Sequence, residues 1–129
     1  MAEAGDIAYE SGLFLVTITA GEDISKGDVV TLADGNIADV TAGEIGPFGV
    51  AIADIASGEE GEAAVAPTTV YVTAGTGGVS AFDLVMPSET VGEEGKVQTV
   101  SSPAFNEVVG MMLEAAVATA VGKCRLGYH

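Results

Sequence analysis

Short runs in which apolar and polar residues alternate follow one another along this chain, separated by Gly, Pro, Asp and Asn. Such runs read as β-strands, because successive side chains on a strand point to opposite faces. Residues 13–19, LFLVTIT, are the clearest, rich in β-branched and aromatic residues and ending at Ala20-Gly21. A turn over 24–27 feeds a second strand over 28–32, stopped by Asp34-Gly35, where Gly accepts positive φ and Asp bonds its own backbone. Residues 36–40 form a short third strand, followed by a Gly/Pro loop over 42–47. The apolar run 48–55 is turned back by the loop Ser57-Gly58-Glu59-Glu60-Gly61 into a strand over 63–66, and Pro67 places the next join at an edge or between strands. Residues 68–73, 79–86 and 96–100 continue the pattern, and a final hairpin runs through Arg125, Leu126 and Tyr128. Over 106–121 the Met, Leu, Glu and Ala residues are good helix formers, so a short helix is the alternative to a hairpin there.

The pattern occurs twice. Residues 49–65, GVAIADIASGEEGEAAV, align without a gap with residues 110–126, GMMLEAAVATAVGKCRL: Gly49 meets Gly110, Ile52 meets Leu113, Gly61 meets Gly122 and Val65 meets Leu126. Upstream, residues 19–30 align with 73–85 across one inserted residue, sharing T-A-G and then I/V-S-x-x-D-V/L-V. The match favours a hairpin over a helix at 106–121, because its partner segment holds Ser57-Gly58 in the middle. Two units are too few for a solenoid. The chain therefore reads as mainly β, a compact single-domain barrel-like or tulip-like fold built from two related β motifs. The expected organisation is an extended N-terminal arm over 1–12 and a β-rich domain over 13–129, with the pseudo-repeat spanning about 18–66 and 72–127.

Composition narrows the function. With 48% hydrophobic residues, the 129-residue chain can bury a core of one domain. Its 18 glycines and 5% aromatics imply tight turns and closely packed small side chains. Nineteen acidic residues against four basic ones give a net charge of −15, which repels phosphate and disfavours both nucleic acid and anionic membrane surfaces as partners. The one cysteine, Cys124, makes no intrachain disulfide and reads as a small buried side chain. The first ten residues lack the basic and apolar regions of a signal peptide, and the apolar run over 108–121 is shorter than the roughly 18–20 residues of a membrane span.

Candidate chemistry is sparse. The only histidine is the terminal His129, so Ser/His or Cys/His nucleophilic catalysis and His/Cys metal sites are disfavoured, and no enzyme activity, metal or cofactor is expected. Thr76-Gly77-Gly78 lacks the following helix of a phosphate cradle. Glu59, Glu60 and Glu62 offer hard oxygens to Ca²⁺ but lack EF-hand spacing, and a solvated loop is the simpler reading. Asp28 and Asp83, equivalent in the two repeats, read as caps of the turns before them.

These residues bring out a resemblance. Gly27-Asp28-Val29-Val30-Thr31-Leu32, then Phe48-Gly49-Val50-Ala51 leading into Gly58-Glu59-Glu60-Gly61-Glu62-Ala63-Ala64-Val65, residues 70–75, and the ending from Val109-Gly110-Met111-Met112-Leu113-Glu114-Ala115-Ala116 to Cys124-Arg125-Leu126 resemble the capsid-cement, or head-decoration, proteins of tailed bacteriophages and related viruses. The likeness extends over nearly all of the chain after residue 12, although segments 36–47 and 87–104 are longer and more irregular than the family pattern. The resemblance implies a structural virion protein on the outer surface of an icosahedral head, assembled in the host cytoplasm, commonly trimeric, and clamping neighbouring major capsid protein subunits. An N-terminal arm can add a strand to a capsid-protein edge, and Ile7, Tyr9, Leu13 and Phe14 are the candidate contacts, with Leu13 and Phe14 equally readable as core of the first strand. A small carbohydrate- or ligand-binding β domain is the alternative, against which the absence of Trp weighs.

Overall fold

The computed structural model describes residues 2–8, 14–34, 37–40, 47–90, 92–100 and 108–127, and over these the chain forms strands and turns without a helix. Strands β1 (Leu15–Ala20), β2 (Val29–Asp34), β3 (Ile37–Val40), β4 (Pro47–Ala51) and β5 (Glu60–Ala64) close into a barrel in the order β1-β3-β2-β4-β5. Strands β6 (Thr69–Thr73), β7 (Leu84–Pro87), β8 (Val97–Thr99), β9 (Gly110–Met112) and β10 (Val121–Leu126) form a second sheet in the order β6-β10-β9-β7-β8. The expected β fold of two related motifs is present, and the relation reaches individual hydrogen bonds.

Each half repeats the other's wiring. The Ile24 N–H donates to Ile55 C=O at 2.9 Å, and the Val79 N–H to Ala116 C=O at 2.8 Å. The Ala20 N–H reaches Glu59 C=O as the Ala74 N–H reaches Ala120 C=O, both at 2.9 Å. The Gly21 and Gly75 N–H groups donate to Ala38 and Val97 C=O, both at 2.8 Å. The glycines that open the matched segments share a cause: a Cβ on Gly49 would strike the Ala64 carbonyl, and one on Gly110 the Arg125 carbonyl. The halves differ in closure. In the first, β1 pairs in parallel with β3 at Thr19–Ile37 and Ala20–Ala38; in the second, the equivalent contact is the single Ala74–Val97 bridge. The Gly95 carbonyl, in the turn before β8, instead accepts from Val29 N–H of the barrel at 3.0 Å and ties the halves together.

Alternation fills two cores from one set of strands. Ile18, Ala20, Val30, Ala38, Ala51 and Ala63 pack within the first cluster with Ile24 and Ile55. Their chain neighbours Val29, Val50 and Ala64 point the other way and pack with Val70, Val72, Val85, Val97, Met112 and Cys124 of the second sheet. A five-stranded barrel is narrower than the eight-stranded kind that side chains just fill, which explains the alanines along its lining. Cys124 is fully buried, as expected, and burial pushes its thiol up to about 12.

Three strand boundaries need correction. The return strand was expected at 63–66 with Glu59, Glu60 and Glu62 in a loop; β5 instead begins at Glu60, because Thr19, Ile18 and Thr17 of β1 pair with Glu60, Gly61 and Glu62. Long-range pairing overrides the poor strand propensity of that stretch. The apolar run 48–55 stops as a strand at Ala51, leaving Ile55 as one bridge to Ile24. The run 79–86 is strand only from Leu84, since Ser80–Asp83 closes a turn. The helix alternative at 106–121 is not seen in its described part, where β9, a bridge at Ala116 and the start of β10 stand.

Among the described residues, two positions other than glycine carry backbone strain. Phe82 and Thr119 adopt φ of 69° and 62°, where the first half places Gly27 (94°) and Gly58 (85°). A side chain in this left-handed region costs about 1–2 kcal/mol. Thr119→Gly is therefore expected to raise stability by roughly 0.5–1 kcal/mol, net of the entropy glycine adds to the unfolded chain, and Gly58→Ala to lower it by about 1 kcal/mol. No atom lies within 4 Å of a Cβ on Gly58, so only conformation is tested there. Urea unfolding of both variants checks the pair of opposite signs.

Glu93 is a buried carboxylate whose oxygens accept from Ser88 Oγ and Thr76 N–H, both at 2.8 Å. These donors, Ser88 first, hold its pKa below the ordinary 4.5. A lowered folded-state pKa contributes stability that is complete above that ordinary value and vanishes as pH falls through the lowered one. Glu93→Gln is expected to be less stable than the parent at pH 7, with the gap closing below about pH 4 in parallel urea titrations.

Candidate functional site

Among the described residues, one small device is used three times. In Glu3-Ala4-Gly5-Asp6, Ser25-Lys26-Gly27-Asp28 and Ser80-Ala81-Phe82-Asp83, the N–H of the first residue donates to the aspartate Oδ2 at 2.8, 2.9 and 3.0 Å. The aspartate N–H returns a bond to the first residue's carbonyl at 3.0, 3.0 and 3.2 Å. The third residue always has positive φ, 87°, 94° and 69°. Its N–H then donates to Tyr71, Ala51 or Met112 C=O, and the N–H of that same residue donates back to the aspartate's C=O. Each turn thus launches a strand onto a neighbour. The capping role expected of Asp28 and Asp83 is met, and Asp6 performs it as well. Asp28 is half-buried, and burial raises its pKa against the opposing Ser25 bond.

The N-terminal arm lies along β6 over residues 5–8. Ile7 bridges Val70, the Ala8 N–H donates to Thr69 C=O at 2.9 Å, and Ala8 is buried. The turn at its start rests on the turn of the first half, where a Cβ on Gly27 would collide with Ala4. Lys26 Nζ clamps the two, 2.6 Å from Asp6 Oδ1 and 3.4 Å from Glu3 Oε1. That contact lowers the pKa of Asp6 and raises that of Lys26.

Of the four candidate contacts, Ile7 is half-buried against β6 and Phe14 is 48% exposed. Phe14 is held by its backbone: its N–H donates to the buried Thr68 Oγ1 at 2.8 Å, and its carbonyl accepts from that hydroxyl at 3.1 Å. Tyr9 and Leu13 lie outside the described residues. Sequence reading missed Phe82 and Val117, which are 71% and 77% exposed. The signal for Phe82 was available, since it stands where both sister turns have glycine.

An open groove of about 410 Å³ is lined by Thr76, Gly77, Gly78, Val79, Ser80, Thr99 and residues 115–118. Its lining holds no titratable or aromatic side chain. Among the described residues, no three His, Cys, Asp or Glu side chains are grouped to hold a metal ion.

Comparison with known proteins places the chain in a family. No curated protein matches the chain. The chain is similar to the head fiber gp8.5 N base of bacteriophage phi29, with 18% identity and a TM-score of 0.67 over 89% of this chain and 94% of that one. It is similar also to a chain in the capsid of Myoviridae phage XM1, with 16% identity and a TM-score of 0.72 over 97% of this chain and 89% of that one. At these identities the likeness is one of fold. A model of the family described as phage cement protein matches residues 9–127, from the arm through β10, and the chain belongs to that family.

Proposed function

We propose that this protein binds the outer surface of an icosahedral phage capsid as a trimer and stabilises the major capsid protein lattice by bridging neighbouring subunits. The observation that carries the reading is the cement-family match across residues 9–127. The fold shared with a phage head-fibre base and a phage capsid chain supports it. Attachment of this kind needs surface and no reaction. The chain supplies large exposed apolar side chains, Phe14, Phe82 and Val117, on a body whose net charge of −15 keeps the exposed remainder in water. Phe82 fits an anchor best, because its backbone strain serves no contact that buries it within the chain. Phe14 extends the contact along the arm side, together with Ile7, Tyr9 and Leu13.

Co-sedimentation with emptied, expanded shells of the cognate phage tests the reading. Saturable binding at fixed stoichiometry, with a higher shell melting temperature, is expected; a protein that stays in the supernatant overturns it. Light scattering of the free protein tests the trimer.

Phe82→Gly separates strain from contact. It is expected to leave the thermal midpoint unchanged or higher while weakening shell binding on the order of tenfold, as loss of an aromatic anchor does. Phe14→Ala should weaken binding without unfolding. It is a cleaner test than deleting residues 1–11, which also removes the Lys26 ion pairs and uncovers β6.

A further inference from the structure

We propose that the outer edge of β1, at Leu15 and Thr17, receives an extended segment of the capsid shell protein as an added strand; this rests on the shell-binding reading above. The direction of the β1 hydrogen bonds is fixed by its ends. The Val65 N–H donates to Phe14 C=O, and the Ala20 N–H donates to Glu59 C=O. Even-numbered residues of β1 therefore bond β5, and the N–H and C=O groups of Leu15 and Thr17 point away from it. On that side β3, among the described residues, pairs with β1 at Thr19 and Ala20 alone. Among the described residues, no hydrogen bond reaches Leu15 or Thr17 from there.

The second half shows what such an edge accepts. Thr69 and Tyr71 of β6 are the repeat equivalents of Leu15 and Thr17. The Thr69 carbonyl accepts from Ala8 N–H at 2.9 Å; Tyr71 C=O accepts from Gly5 N–H at 2.7 Å, and its N–H donates to Asp6 C=O at 2.9 Å. One edge is thus covered by an extended segment of the chain itself, and its counterpart has no such cover among the described residues. That stretch is flanked by apolar side chains that water reaches, Phe14 at 48% and Ile37 at 38% exposure, with Thr17 exposed between them. Backbone bonds with apolar side chains at either end are the elements of strand addition.

Charge and occupancy select the partner. A second copy is a poor donor at this edge, because its own residues 5–8 already lie on its β6. A shell segment that is neutral or basic, extended, and apolar at alternate positions fits the edge.

Residue-resolved hydrogen–deuterium exchange on the full chain tests this, run on free protein at two concentrations and on protein bound to emptied shells. In free protein the Leu15 and Thr17 amides should exchange fast beside slow Val16 and Ile18, and on shells they should slow by on the order of tenfold or more. Bound protein in which Leu15 and Thr17 stay fast overturns the strand addition while leaving shell binding intact. Protection in free protein that grows with concentration assigns the edge to a second copy and overturns the shell assignment. Failure to bind shells at all overturns the function itself, and this inference with it.

Discussion

An aspartate carboxylate that holds the backbone N–H three residues before it is the contact on which the rest of this fold depends. Asp6, Asp28 and Asp83 each make it, and each also bonds back through its own N–H. The loop thus closed forces its third residue into positive φ and aims the next strand at a neighbour. An Asp carboxylate accepting backbone N–H groups does what a full turn of backbone pairing would otherwise do, within four residues. The cost appears where the third residue is not glycine. Phe82 bears it, with its ring exposed.

Duplication sets the architecture, and small departures from it set the differences between halves. Both halves route their strands through the same bonds, so both acquire glycine where strands approach too closely for a Cβ, at Gly49 and at Gly110. The first half closes because β3 reaches β1. In the second, the connection between β7 and β8 is longer and is shaped by the buried Glu93, and its Gly95 carbonyl is spent on Val29 of the barrel. What the second half loses in closure it returns as the link between halves. The arm adds a further tie, since its turn rests on the first half while its strand pairs with the second.

A cement protein must hold fast to another surface without reacting with it. In the proposed reading the acidic composition keeps most of the surface in water, while exposed apolar groups stand at the turn residues Phe82 and Val117, before β1 at Phe14, and on β2 and β3 at Leu32 and Ile37. In the proposed reading, many weak copies on a symmetric lattice combine through avidity, so each contact need supply only a few apolar groups and an edge of backbone.

Local residues by themselves determined a good deal. Alternation marked the strands, Gly and Asp marked the turns, and the doubled pattern from Gly49 and Gly110 showed that one β motif is used twice. The cement-family likeness rested on the same stretches. Composition disfavoured nucleic acid, and Asp28 and Asp83 were legible as turn caps because that bond spans only a few residues. Only the tertiary structure decided that Glu60 and Glu62 belong to a strand, since their partners Thr19 and Thr17 lie far away along the chain. It decided likewise that residues 5–8 pair with β6, and that Phe82 and Val117 face water. The physical reason is the same in each case. Turn chemistry is read from neighbours in sequence, whereas strand pairing and exposure are settled by which distant backbone arrives at an edge, and no local pattern records that arrival.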